Sequence, residues 1–303
     1  MRIVARNIEF SYNKGAKFSV AALDGVSLEI AEGEFFGIIG HTGSGKSTFI
    51  QHLNALVPLQ KGELFVGDYD LTPSKKKKDK AKLKDLRKSV GMVFQYPEYQ
   101  LFAETVYEDV AFGIRNFLAE KDEKKVEDLV KSALEKVGLN YAEIKDKSPF
   151  ALSGGQKRRV AIAGVIVVEP QVLVLDEPCA GLDPVGKKEL WELLHYLHRT
   201  TAKTIIVVSH DMNDVADQCT KAAMFSDGKI IASGTPKELF SDRELIEKAG
   251  LDVPVTAYLK DELSPCLDDL DTDFKIADFA EKLAKKLNSK GQPKTKNKPI
   301  TGL

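Results

Sequence analysis

Cysteine is scarce in this sequence: Cys179, Cys219 and Cys266 are all it has. They form neither a C-x-x-C pair nor an even set, which excludes a disulfide framework and points to reduced thiols in a cytosolic setting. Long apolar runs are missing as well. The longest, residues 160–168, is about half a membrane span, and residues 1–7 hold no apolar signal segment. Such a chain is expected to meet a membrane only from the side, through a partner. Nor is there an excess of one charge. The 44 basic residues are balanced by 45 acidic ones, a net charge of −1, so no global field draws the chain to nucleic acid or an anionic bilayer. No internal repeat or sustained heptad pattern is present. What remains is a soluble globular composition, 43% hydrophobic and 29% charged over 303 residues, enough for one large domain with or without an appendage.

The chain is organised around Gly40-His41-Thr42-Gly43-Ser44-Gly45-Lys46-Ser47-Thr48, which fits the phosphate-cradling pattern G-x-x-x-x-G-K-[ST]. The apolar run Phe35-Phe36-Gly37-Ile38-Ile39 before it reads as a buried strand, and Phe49, Ile50, Leu53 and Leu56 after it fall at helical spacing. Glycines let the loop turn sharply and aim N–H groups inward, at the positive end of a helix. Lys46 is expected to reach the β- and γ-phosphates and the Ser47 hydroxyl to ligate magnesium, so ATP and Mg2+ are the expected ligands.

Along the chain, short apolar runs alternate with helical patterns. Strands are expected over 3–10, 26–30, 63–66, 90–94, 172–175 and 204–208. The Asp227-Gly228 turn predicts a hairpin between 221–225 and 229–232. Helices are expected over 46–55, most of 106–138, 157–168 with Ser153 as N-cap, and 184–198 with Asp183 as N-cap and Pro184 in the first turn. This alternation predicts an α/β domain with a largely parallel sheet, whose ligands bind at the carboxyl ends of strands. The P-loop, Gln95, Asp176-Glu177 and His210 each follow an apolar strand and are expected on one edge. The basic stretch from Lys75 to Lys88 has no interleaved aromatics and reads as solvated surface, so no nucleic-acid partner is expected. Composition shifts near Ser241. Beyond it come short helices over 245–251 and 253–263, an amphipathic helix over 274–287, and a Lys/Gly/Pro-rich tail over 288–303 expected to be disordered.

Further motifs narrow the chemistry. Asp176 at a strand end suits the magnesium–water shell opposite Ser47, and Glu177 is placed to polarise an attacking water. Leu152-Ser153-Gly154-Gly155-Gln156 resembles the signature sequence of ABC-type ATPases, and the order of motifs over residues 1–240 is similar to that family's. By this resemblance Tyr12 is the aromatic that stacks on adenine and Gln95 the Q-loop glutamine, a magnesium and water sensor. Asp183 closes the D-loop, and His210 is the switch histidine. Cys179 stands where the family usually has threonine or serine. The resemblance also implies a P-loop NTPase core, an antiparallel β subdomain, and a helical subdomain at about 96–165. Ser153, Gly154, Gly155 and Gln156 are then an anion site that faces the nucleotide held by a second subunit.

A narrower resemblance rests on His41-Thr42, on Phe94-Gln95-Tyr96-Pro97-Glu98-Tyr99-Gln100-Leu101-Phe102, and on Pro149-Phe150-Ala151-Leu152. These look like the ATPases of energy-coupling factor (ECF) transporters, in the second or A′ type related to the cobalt-transport ATPases. Residues 241–287 fit that group's helical C-terminal extension. The resemblance implies a sister ATPase, a membrane coupling subunit (T component) and an exchangeable substrate-binding membrane subunit (S component), at the cytoplasmic face of the cell membrane, for vitamins or metal ions. The competing reading is a soluble ABC ATPase acting on nucleic acid or ribosomes. It has only the lysine run in its favour, against a single P-loop and a single signature.

Overall fold

The computed structural model describes residues 1–13, 18–73, 79–264 and 272–290. Gly15, Lys75 to Lys78, Cys266 and residues 291–303 of the tail lie outside the described residues. The strands are β1 (Ile3–Tyr12), β2 (Val20–Ile30), β3 (Phe35–Gly40), β4 (Lys61–Val66), β5 (Tyr69–Asp70), β6 (Val90–Val93), β7 (Val172–Asp176), β8 (Thr204–Val208), β9 (Lys221–Ser226) and β10 (Lys229–Gly234). The helices are α1 (Lys46–Leu53), α2 (Lys80–Ser89), α3 (Val106–Gly113), α4 (Glu123–Lys136), α5 (Tyr141–Ile144), α6 (Gly154–Ile166), α7 (Pro184–Thr200), α8 (Met212–Gln218), α9 (Pro236–Ser241), α10 (Arg243–Lys248), α11 (Val255–Leu263) and α12 (Ile276–Lys290).

A six-stranded sheet in the order β10-β9-β3-β8-β7-β6 forms the centre, parallel throughout except for the β9–β10 hairpin. Every residue of β3, β6, β7 and β8 is buried, as expected of parallel strands covered on both faces. Side chains alternate between two cores, following the period of two along a strand. Phe35, Ile39, Leu173, Leu175, Ile205 and Val207 join the core under α3, α4, α6, α7 and α8. Phe36, Ile38, Val172, Val174, Ile206 and Val208 join the core shared with α1 and the second sheet. That second sheet is antiparallel, in the order β2-β1-β4-β5.

Between β6 and β7 the chain is helical, with a π-helical turn at Ile114–Leu118 joined to α3. Gly138 ends α4 at φ +74°, the left-handed C-cap the sequence predicts. After β10, α9, α10 and α11 pack on the first core through Leu239, Phe240, Ile246 and Ala257, joined by Phe274 just before α12. Among the differences from the sequence reading are two boundaries and one element. Helix α6 begins directly after Ser153 and stops at Ile166. Helix α12 continues to Lys290, into the segment expected to be disordered. Helix α8, which the sequence reading does not contain, follows the His210 loop.

Candidate nucleotide site

The P-loop leaves β3 at Gly40 and enters α1 at Lys46. Two glycines are required by close approach. A Cβ on Gly40 would lie 2.3 Å from the Phe225 carbonyl oxygen, and one on Gly45 2.4 Å from that of Ala22. Gly45 is also left-handed, at φ +103°. The loop is fastened from the β9–β10 turn, where Gly228 N–H donates to the Ser44 carbonyl at 3.0 Å. His41 sits 3.8 Å from Asp227 of that turn, and its Nδ1 lies 2.9 Å from the Thr42 carbonyl.

Lys46 is buried and folded onto the loop itself, donating to the Gly40 carbonyl at 2.7 Å and the His41 carbonyl at 2.8 Å. Burial pulls its pKa down, against the opposing pull of Glu177 and Asp176. Ser44 Oγ is buried without a partner. So is Asp176 Oδ1, at the end of β7. Burial raises the Asp176 pKa, and the Ser47 hydroxyl beside it works the other way. An unpartnered buried carboxylate oxygen next to a hydroxyl is a fitting oxygen set for a hard cation such as magnesium.

Glu177 follows with the left-handed φ of +50°, a strained conformation for a non-glycine residue. Its N–H donates to the Val208 carbonyl, which ties it to the neighbouring strand. Its carboxylate Oε2 accepts from His210 Nδ1 at 2.5 Å. Gln95, Glu177 and His210 line one cavity of about 360 Å³, together with Cys179, Lys187 and Asp214. Burial pushes the Cys179 thiol up to about 12, so it is no nucleophile. Tyr12 ends β1, its ring half-exposed and its hydroxyl 3.1 Å from Thr48 Oγ1 of α1.

The structure therefore brings most of the sequence-predicted residues to the carboxyl ends of β3, β6, β7 and β8. The signature segment is elsewhere. Ser153 caps α6 in a reciprocal capping box with Gln156. Gly154 and Gly155 face open space, with nothing within 4 Å of an added Cβ. Asp183 is exposed and accepts from Gly186 N–H at 2.7 Å. One residue that sequence reasoning missed is Arg158. Its buried guanidinium donates to the Pro178 and Ala180 carbonyls and sits 3.7 Å from Glu98. It thereby ties the signature helix both to the segment after Glu177 and to the segment after Gln95. The only signal was a cation on an otherwise apolar helix face.

A family model described as ABC transporter matches residues 23–180. The chain belongs to the ABC transporter family. Within it, the chain is 49% identical over 255 residues to an energy-coupling factor transporter ATP-binding protein, EcfA2, of Clostridioides difficile, covering 84% of this chain and 86% of the relative. The EcfA2 protein of Acetivibrio thermocellus is 45% identical over 94% of this chain and 98% of its own. Among solved structures, cbiO1 from Clostridium perfringens, part of the ABC transporter complex cbiONQ, superimposes with a TM-score of 0.69 at 37% identity, over 86% of this chain and 98% of that one. The dimeric cassette MJ0796, bound to ADP and Pi in a post-hydrolysis state, gives 0.68 at 28% identity, over 77% and 98%. This ABC ATPase thus has a P-loop NTPase core, and among the described residues no helix is long and apolar enough to cross a membrane.

Proposed function

We propose that this ABC ATPase is the ATP-binding and ATP-hydrolysing subunit of an ECF-type importer. It works with a sister ATPase, a membrane coupling subunit and a substrate-binding membrane subunit at the cytoplasmic face of the membrane. The observation that carries the reading is the meeting, at one sheet edge, of Lys46, Asp176 and the hydrogen-bonded Glu177–His210 pair. Lys46 would exchange its two loop carbonyls for phosphate oxygens, to which the loop N–H groups would also donate. Ser47, Asp176 and Gln95 are the residues that would hold magnesium, which when bound neutralises developing phosphate charge. Glu177 takes the role of orienting and polarising the attacking water, and the His210 N–H holds its carboxylate in place. Tyr12, anchored through Thr48, presents its exposed ring for stacking on adenine.

Docking on a membrane partner is supported by the segment after Gln95. Tyr99 is 84% and Phe102 59% exposed, so neither serves as core. Phe102 packs edge-on against Phe112 at 4.9 Å. Beside it lies a groove of about 290 Å³ lined by Leu56, Phe94, Leu101, Phe112 and Phe117. An apolar helix end from a coupling subunit fits such a groove.

The deciding experiment compares two substitutions. Glu177→Gln should keep ATP binding while turnover falls about 10²- to 10⁴-fold, since the water-orienting carboxylate alone is lost. Lys46→Ala should instead weaken binding of a fluorescent ATP analogue, because a charge-assisted phosphate contact is removed. Near-normal turnover in the first variant, or unchanged affinity in the second, overturns these assignments.

A further inference from the structure

Behind the Glu177–His210 pair lies a charged cluster that the phosphate chemistry does not use. Lys187, in the first turns of α7, reaches two carboxylates of the neighbouring segment. Its Nζ is 2.6 Å from Asp211 Oδ2 and 2.9 Å from Asp214 Oδ1. Trp191, one turn further along α7, donates its indole N–H to the same Asp214 oxygen at 3.2 Å. Asp211 directly follows His210 and caps α8, its Oδ1 accepting from Asn213 N–H at 2.9 Å. The two ends of this cluster are functional loops. The helix that carries Lys187 starts after its cap Asp183, at the end of the Gly181–Asp183 stretch, where Gly181 and Asp183 are exposed. The loop that carries Asp211 holds His210. Lys187 and Asp214 line the same cavity as Glu177, and Asp214 Oδ2 is buried there without a partner.

We propose that Lys187 is a positioning residue for hydrolysis. It couples the loop before α7 to the switch loop, so that His210 meets Glu177 only while that loop is seated. This rests on the ATP-hydrolysis reading above. Two carboxylates fix the ammonium at 2.6 and 2.9 Å, which leaves its stem, rooted in α7, little slack. A shift of the start of α7 therefore strains these contacts or carries Asp211 and His210 with it, and displacements of about 1 Å are costly in catalysis. Burial disfavours the charge on Lys187, but its hydrogen bonds to Asp211 and Asp214 outweigh it and hold its pKa above the ordinary range. The ammonium is therefore permanent at neutral pH.

The test is a double-mutant cycle on the full chain, mixed with its sister ATPase. Lys187→Met should lower kcat for ATP about tenfold with KM changed less than about twofold, because the P-loop is untouched. Lys187→Arg, which keeps a cation before both carboxylates, should recover most of the loss. In a His210→Ala background, Lys187→Met should cost nothing further. Trp191 is the chain's single tryptophan, so its emission, read on this chain before mixing, reports independently of turnover: nucleotide should change it in the parent and not in Lys187→Met. If Lys187→Met does not fold, Asp211→Asn, which keeps the α8 cap, takes its place in the cycle. Multiplicative losses in the His210→Ala background, or a raised KM with kcat intact, overturn the proposal while the hydrolysis reading stands. A parent mixture without turnover removes both.

Discussion

Asp176 carries a cost that only its function explains. It is buried at the end of β7 with one oxygen unpartnered, and burial raises its pKa above the ordinary carboxylate value of 3.8. The folded state thus takes up a proton here more readily than the unfolded chain does. The sign follows: ionised Asp176 opposes folding at neutral pH, and that opposition fades as pH falls to the ordinary carboxylate range. Asp176→Asn keeps the shape and removes the charge. The variant is expected to melt above the parent at pH 7 without nucleotide, by about 2–4 °C for a gain of about 1 kcal/mol, with the gap narrowing toward pH 4. Magnesium-dependent hydrolysis should be lost in the same variant. A variant that melts below the parent at pH 7 shows that Asp176 is stabilised by contacts rather than kept for a ligand.

Helix α8 is the element through which the C-terminal extension meets the site. Asn213 Oδ1 accepts from Val255 N–H at 2.8 Å at the start of α11, and Asp217 Oδ1 accepts from Ile276 N–H at 2.8 Å at the start of α12. One turn of α8 separates these two residues, and the same helix is capped by the neighbour of His210. Asp217→Ala should cost α12 about 1 kcal/mol, the usual worth of such a cap. Limited proteolysis should then clip the extension about fivefold faster, with the melting of the core unchanged. Equal cleavage rates would place the hold on α12 elsewhere, in Phe274 and Phe279. Helix α8 also marks what the sequence left illegible. The apolar runs within β3, β7 and β8 were readable because strands buried on both faces admit polar side chains only at their ends, as at Asp176 and Thr204. Asp183 and Ser153 were readable as caps because their helices start with strong local signals. Helix α8 is seven residues long, too short to show a periodic face, so Asp211 read only as the end of a strand. The two-residue strand β5 had no run to read. Strand order was equally hidden: β3 lies between β8 and β9, partners far along the chain. Arg158 and Lys187 escaped for the same reason, since each finds its carbonyls or carboxylates some twenty or more residues later.

For the whole molecule, the open placement of the signature is the central fact. None of residues 152–156 lines the cavity that holds Glu177 and His210, and Gly154 and Gly155 face open space. A signature that another chain's nucleotide approaches needs such an open backbone face at a helix N-terminus, where the first N–H groups point outward; in this chain the capping box takes that of Gln156. Ser153→Arg should therefore depress hydrolysis at the sister subunit's P-loop more than at this chain's own, read by site-resolved photolabelling in the mixed dimer. Loss confined to its own site would refute a shared geometry. In the proposed importer, energy from that site has to reach the membrane subunits, and the segment after Gln95 offers the exposed rings of Tyr96, Tyr99 and Phe102. Glu98 of this segment lies beside Arg158, which in turn holds the carbonyls after Glu177, so the groove edge and the catalytic strand end share one guanidinium. Tyr99 and Phe102 project from that edge. Removing either ring by Tyr99→Ala or Phe102→Ala deletes a docking anchor worth about 1–3 kcal/mol without touching the P-loop. ATP binding should stay near normal, while co-purification with the membrane coupling subunit and substrate uptake fall in part. Should both variants assemble and transport as the parent does, the membrane partner docks on another face, and Phe102 with Phe112 merely closes the groove.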